Sequence, residues 1–142
     1  MTDNQVLLES IYRNTQMGVE TIASIIDLEP DTEMLEVLRS QSREYAEINS
    51  QASNMMKERG IKEKDLNPMA KAGADMTIAF KTMFDKTEGK IAEMMAKGNA
   101  NGIIAATRNI KRFKDASPEI LSLANKLLST ERNNFEQMLR FL

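Results

Sequence analysis

The sequence predicts an all-α fold, an antiparallel four-helix bundle with one short additional helix, and three observations carry that prediction. Apolar residues recur at alternating three- and four-residue spacings over long stretches, the mark of helices packed side by side at shallow angles. Gly and Pro are few, six and three in 142 residues, and most mark the ends of those stretches. Strand-like alternation is scarce, and no hairpin dipeptide joins two β-rich runs. The length gives one domain, residues 1–142, able to bury about two-thirds of its unfolded surface.

Thr2 or Asp3 caps a first helix that runs to about Asp27. A break at Leu28-Glu29-Pro30-Asp31 follows, with Pro30 suited to a first helical turn and Asp31 and Glu33 favourable beside the N-terminal dipole. The second helix reaches about Arg59 and stops at Gly60, a natural residue for the left-handed C-terminal position. A charged linker leads to Asn67-Pro68, a cap-plus-proline start for a third helix ending near Lys97-Gly98. Gly98-Asn99-Ala100-Asn101-Gly102 reads as a turn cluster, and a short helix covers about Ile103 to Lys114. Ser117-Pro118 repeats the cap-plus-proline signal, so the last helix fills Glu119 to Leu142.

The inward seam of the first helix is Leu8, Ile11, Thr15, Gly18, Ile22 and Ile25. On the second it is Leu35, Leu38, Ser42, Tyr45, Asn49, Ala52 and Met56. The third contributes Met69, Gly73, Met76, Phe80, Met83, Thr87 and Met94, with Lys90 breaking the row and Ile91 beside it. The last contributes Ile120, Ala124, Leu127, Glu131, Asn134, Met138 and Phe141. A seam averaging 3.5 residues suits helices crossing at about +20°. The short helix has only Ile103, Ile104, Thr107, Ile110 and Phe113 to bury, and is expected across one end or flank.

The seams turn polar in mid-helix. Folding the first two helices back at about residue 29 puts Thr15 level with Tyr45. A polar cluster of Thr15, Ser42, Tyr45, Asn49, Glu131 and Asn134 is therefore expected near the middle of the bundle. Buried unpaired, such groups cost a few kcal/mol, so they should bond one another or a water.

Composition excludes several chemistries. With no Cys and no His, there is no disulfide, thiolate nucleophile, zinc knuckle or imidazole base. A net charge of −2 gives no global attraction to nucleic acid. Gly98-x-x-x-Gly102 lacks the Gly-Lys-Ser/Thr of a phosphate loop, and no Ser-x-x-Lys motif appears. The longest apolar runs, such as Ile103-Ile104-Ala105-Ala106, fall far short of the roughly 20 residues of a membrane span. The N-terminus carries no basic region followed by an apolar stretch, and a cytoplasmic location is the expectation.

Up-down helices with a polar middle layer resemble the ferritin-like superfamily, including its small uncharacterised bacterial members. The resemblance implies a di-metal site in which one helix supplies Glu, another Glu-x-x-His, and the second pair repeats this. Only the last helix keeps part of that pattern, as Glu131-Arg132-Asn133-Asn134, with Asn134 at the His position. Glu44-Tyr45-Ala46-Glu47 has a Glu-x-x-Glu spacing, yet Tyr45 faces inward and Glu44 outward. Glu20 and Glu93 also fall on outer faces. One inward carboxylate without imidazole does not supply the roughly six ligands of two metals, so neither metal nor cofactor is expected.

Each remaining feature has two readings. Glu131 either moves a proton or holds a single cation with Asn134, Asn49 and Tyr45, or it fixes register as a polar contact or reaches solvent at an edge. Tyr45 reads as a core aromatic with a bonded hydroxyl. The eleven methionines make either an adaptable binding surface or a core filler, with Met55 and Met95 near the seam's margin. Arg108, Lys111, Arg112 and Lys114 either hold a phosphate or an acidic partner or form a solvated basic face. The expected function is non-catalytic: a structural or protein-interaction module, working as a homo-oligomer or with a protein partner, without nucleic acid or membrane span. The alternative is a ferritin-like metal-binding or storage protein that uses Glu131 with carboxylates from a partner subunit. A third class is capture of a lipid or apolar ligand between Met-rich helices.

Overall fold

A computed structural model describes residues 2–63 and 87–142. Among them the protein is all-helical, four helices and no strand, consistent with a helical bundle. α1 spans Asp3–Ile26, α2 Thr32–Glu58, α3 Glu88–Arg112 and α4 Pro118–Leu139. The third helix expected from Asn67-Pro68, with its seam residues Met69, Gly73, Met76, Phe80 and Met83, lies outside the described residues over 64–86.

The helix ends follow from local chemistry. Thr2 Oγ1 accepts the Gln5 N–H at 3.2 Å and starts α1, satisfying one of the donors a helix N-terminus leaves open. Gly60 takes φ +67°; its N–H donates to Lys57 O and the Ile61 N–H to Met56 O. These two bonds form a Schellman closure, which requires the left-handed conformation that Gly adopts without strain. Ser117 precedes Pro118 at the start of α4 as the sequence predicts, and the Ser117 N–H donates to Asn4 Oδ1 at 2.7 Å. That bond ties the α3–α4 turn to the beginning of α1.

α1 packs along α2 and α3 along α4. α4 joins the two pairs through contacts with α2 and α1, whereas α1 and α3 touch only sparsely. The core contains Leu8, Ile22 and Ile25 of α1, Leu38, Ile48 and Met56 of α2, Ile91 of α3, and Ile120, Leu127 and Met138 of α4, all nearly inaccessible. Each such aliphatic contributes about 1.5–3 kcal/mol of burial. On α1 and α4 these are the seam positions read from the spacing. Polar ties cross between helices: Asn109 Nδ2 donates to Ser10 Oγ at 2.7 Å, and Gln41 Nε2 to Gln137 Oε1 at 2.8 Å.

Several expectations are corrected. α3 runs without a break through Gly98 and Gly102, so there is neither a turn at 98–102 nor a separate short helix after it. A glycine inside a helix costs only about 1 kcal/mol, and the buried face of Ile91, Ala92, Met95, Ala96, Asn99 and Ala106 outweighs two of them. Thr87 is not a polar seam residue; it is the N-cap of α3, its Oγ1 accepting the Lys90 N–H at 3.4 Å. Met95 is buried, and Met94 is half-buried. Pro30 stands outside α2, whose N-cap is Asp31; the chain turns instead at Glu29, which has φ +55°. Leu35 is half-buried, and Met34 takes the inner place.

Candidate functional site

Two glycines shape the site. Gly18 of α1 faces Tyr45 of α2 so closely that a methyl group on it would lie 2.9–3.1 Å from three ring atoms. Gly102 of α3 faces Glu131 of α4 in the same way, a methyl group there meeting Oε2 at 2.7 Å and Cδ at 2.8 Å. The two partners carry the polar seam positions inward, and each needs a facing helix without a Cβ. This sets a register different from the expected one: Tyr45 stands against Gly18, and Thr15 against Asn49. The turn over residues 27–31 shifts the pairing by about one helical turn.

Asn99 of α3 joins them. Its Nδ2 donates to Glu131 Oε2 at 3.2 Å and to Tyr45 Oη at 3.3 Å. Tyr45, Asn99 and Glu131 are each 3% exposed. Burial pushes the Glu131 carboxyl pKa up, and hydrogen bonding from Tyr45 and Asn99 pulls it part of the way back. Burial, then the neighbouring Glu131 charge, pushes the Tyr45 phenol well above its ordinary value. Asn134, fully buried, lies beside that phenol. Neither atom of its amide, nor Asn99 Oδ1, completes a hydrogen bond among the described residues.

Tyr45, Asn99 and Glu131 form one wall of a cavity of about 580 Å³ between α1 and α3, two helices that touch only sparsely. Val6 and Met17 of α1 and Met94, Met95 and Ala105 of α3 give it apolar sides. Glu9 and Arg13 are the other charged residues that line it among the described residues. The size lies within the roughly 300–1,000 Å³ typical of small-molecule sites, and so does the character of an apolar lining with a few convergent polar groups.

The six residues expected to share a polar layer divide. Tyr45, Glu131 and Asn134 come together. Thr15 and Asn49 form a separate contact: Thr15 Oγ1 bonds Ile11 O at 2.9 Å, and Asn49 Nδ2 donates to Thr15 Oγ1 and to Tyr12 O, both at 3.1 Å. Ser42 is half-buried and bonds to neither group. Asn99 belongs to the site but lay inside the stretch taken as a turn. Its signal is the three- and four-residue spacing of Ala92, Met95, Asn99 and Ala106, which the two glycines obscured.

The other carboxylates stay outside. Glu20 and Glu44 are half-buried. Glu93 pairs with Lys90 and Lys97 at 2.8 and 3.4 Å. Among the described residues no three metal-ligating side chains of the His, Cys, Asp or Glu type gather, and no helix is long and apolar enough to cross a membrane. Compared with known proteins, the chain matches no family model, no curated protein and no solved structure.

Proposed function

We propose that the chain is a non-catalytic binding protein on a ferritin-like, antiparallel four-helix scaffold, and that its ligand occupies the cavity between α1 and α3. The observation that carries this reading is the juxtaposition of a mostly apolar 580 Å³ cavity with buried Tyr45, Asn99 and Glu131 on one wall. Buried polar groups are stable when bonded, and Asn99 Oδ1 lacks a bond among the described residues. A ligand donor would supply one. The methionines of this wall suit an adaptable lining.

A protein-interaction role through an exposed apolar strip has less to draw on. Ile104, 53% exposed, with Leu139 and Leu142, are the exposed large hydrophobics among the described residues. A metal-binding role would draw on further carboxylates, as from a second subunit, because among the described residues no His, Cys, Asp or Glu cluster of three gathers. The cavity reading is tested by screening small alkyl and aryl compounds by ligand-observed NMR against the wild type and Ala105→Trp. Ala105 is exposed and lines the cavity, so the indole fills space without entering the core. Expected is saturable binding of several compounds at one site, lost in the variant while its circular dichroism is unchanged. Binding that survives the filling, or no saturable binding at all, overturns the reading.

A further inference from the structure

The chemistry of the cavity wall specifies more than its size. Among the described residues Glu131 has no cationic hydrogen-bonding neighbour; the neutral Asn99 amide donates to it, and the Tyr45 phenol stands beside it. Asn99 spends both amide hydrogens on Glu131 and Tyr45. This orientation follows from the carboxylate, which accepts and so calls for the NH₂ side of the amide. The Asn99 carbonyl oxygen is thereby left as a buried acceptor without a partner among the described residues. At this wall Glu131 and Asn99 thus present two acceptors, one ionisable to a negative charge, with the Tyr45 phenol beside them.

The charges lining the cavity reinforce this. Among the described residues Glu9 and Arg13 are one of each sign, four residues apart on α1, and Glu131 is the third charged residue. The balance is one negative charge, held at the deeply buried wall. An anion there would meet Glu131 and a second acceptor with no cation paired to them among the described residues. A neutral donor would satisfy the acceptors without countering the charge. A cation with several N–H groups does both, and charge-assisted bonds are roughly twice as strong as neutral ones.

We propose that the cavity takes an organic cation, an amine or ammonium head on an apolar body, with the head bonded to Glu131 and Asn99 Oδ1 and the body among Met17, Met94 and Met95. This rests on the reading that the cavity is a binding site, and the experiment separates the two. Benzylamine, benzyl alcohol and benzoate, of nearly equal shape, are titrated by isothermal calorimetry at neutral pH into the wild type, Glu131→Gln and Ala105→Trp. Expected is benzylamine bound at least about tenfold more tightly than benzyl alcohol, a step of roughly 1.4 kcal/mol, with benzoate weakest. Glu131→Gln is expected to erase the preference for the amine, and Ala105→Trp to remove binding of both amine and alcohol. Alcohol bound as well as amine, with both lost in Ala105→Trp, keeps the binding site and overturns the cation assignment. An amine preference that persists in Glu131→Gln overturns the assignment too. Failure of all three probes to bind the wild type removes the site and the assignment together.

Discussion

The Thr15–Asn49 contact between α1 and α2 closes on itself, whereas the Tyr45–Asn99–Glu131 group, about one turn further along, is left open toward its cavity. In the first, the Thr15 hydroxyl is both donor and acceptor, and the Asn49 amide has two acceptors on α1. In the second, Asn99 bonds both Tyr45 and Glu131, yet Asn99 Oδ1 and both ends of Asn134 have no partner among the described residues. A closed polar contact fixes register, because sliding either helix would break every bond in it. An open one fixes nothing by its missing bonds; what it keeps is capacity to bond something else. The difference also follows packing: α1 lies along α2, while α1 and α3 touch only sparsely.

The comparison is broken most severely through the glycines. Gly18→Val places a branched side chain where even a methyl would lie 2.9–3.1 Å from the buried Tyr45 ring. Overpacking of this kind costs about 1–3 kcal/mol, and the small gain in helix propensity does not offset it. A loss of about 2–3 kcal/mol in urea unfolding is expected. Gly98→Val is the matched control, since nothing lies within 4 Å of a Cβ there; it should shift stability by less than about 0.5 kcal/mol. Equal effects at the two positions would mean that the Tyr45–Gly18 contact does not set the α1–α2 spacing.

A smaller effect separates the two polar groups directly. Thr15→Val keeps the shape but removes the hydroxyl that Asn49 donates to, so about 1–1.5 kcal/mol should be lost. Asn134→Leu, by contrast, replaces an amide that is fully buried and unbonded among the described residues. Its stability should be unchanged or higher, because no bond is lost and a desolvated amide is removed. Thermal unfolding of the two variants side by side checks the contrast. If Asn134→Leu proves the costlier change, the second group is a finished network and not an open one.

How much of this was legible in the sequence differs by helix. On α1 and α4 the 3.5-residue spacing identified the inner residues, Glu131 and Asn134 among them, because each helix buries one continuous stripe against its neighbours. On α3 two glycines within five residues carried the usual signal of a turn, and it was wrong. Gly102 is small because Glu131 lies against it, and a single chain read alone does not show that a residue is small for the sake of a distant partner. Asn99 was lost with the same error. The offset between α1 and α2 was misjudged because it depends on where the connecting turn reverses. Glu29, not Pro30, takes the left-handed conformation there, although a non-glycine residue is uncommon in that region.

The gentlest test acts on Glu131 itself. Its pKa is raised in the folded protein because burial disfavours the charge more than Tyr45 and Asn99 favour it. At pH values between the ordinary glutamate value and the raised one, the folded state holds a proton that the unfolded state has released. Stability therefore falls as pH rises through that window, and the penalty is complete above it. Glu131→Gln keeps the shape and an acceptor for Asn99 while removing the charge. Above the window it should be more stable than the wild type, because the charge that burial disfavours is gone. Below the window the two proteins should unfold together, since the wild-type carboxyl is then neutral in both states. Other shifted groups, Glu44 among them, are common to both chains and cancel in the difference. Urea unfolding of both proteins from acid to neutral pH gives that difference directly. A variant less stable than the wild type at pH 7 would mean that Glu131 already has a compensating cation in the folded chain, and that the open wall of the cavity is closed after all.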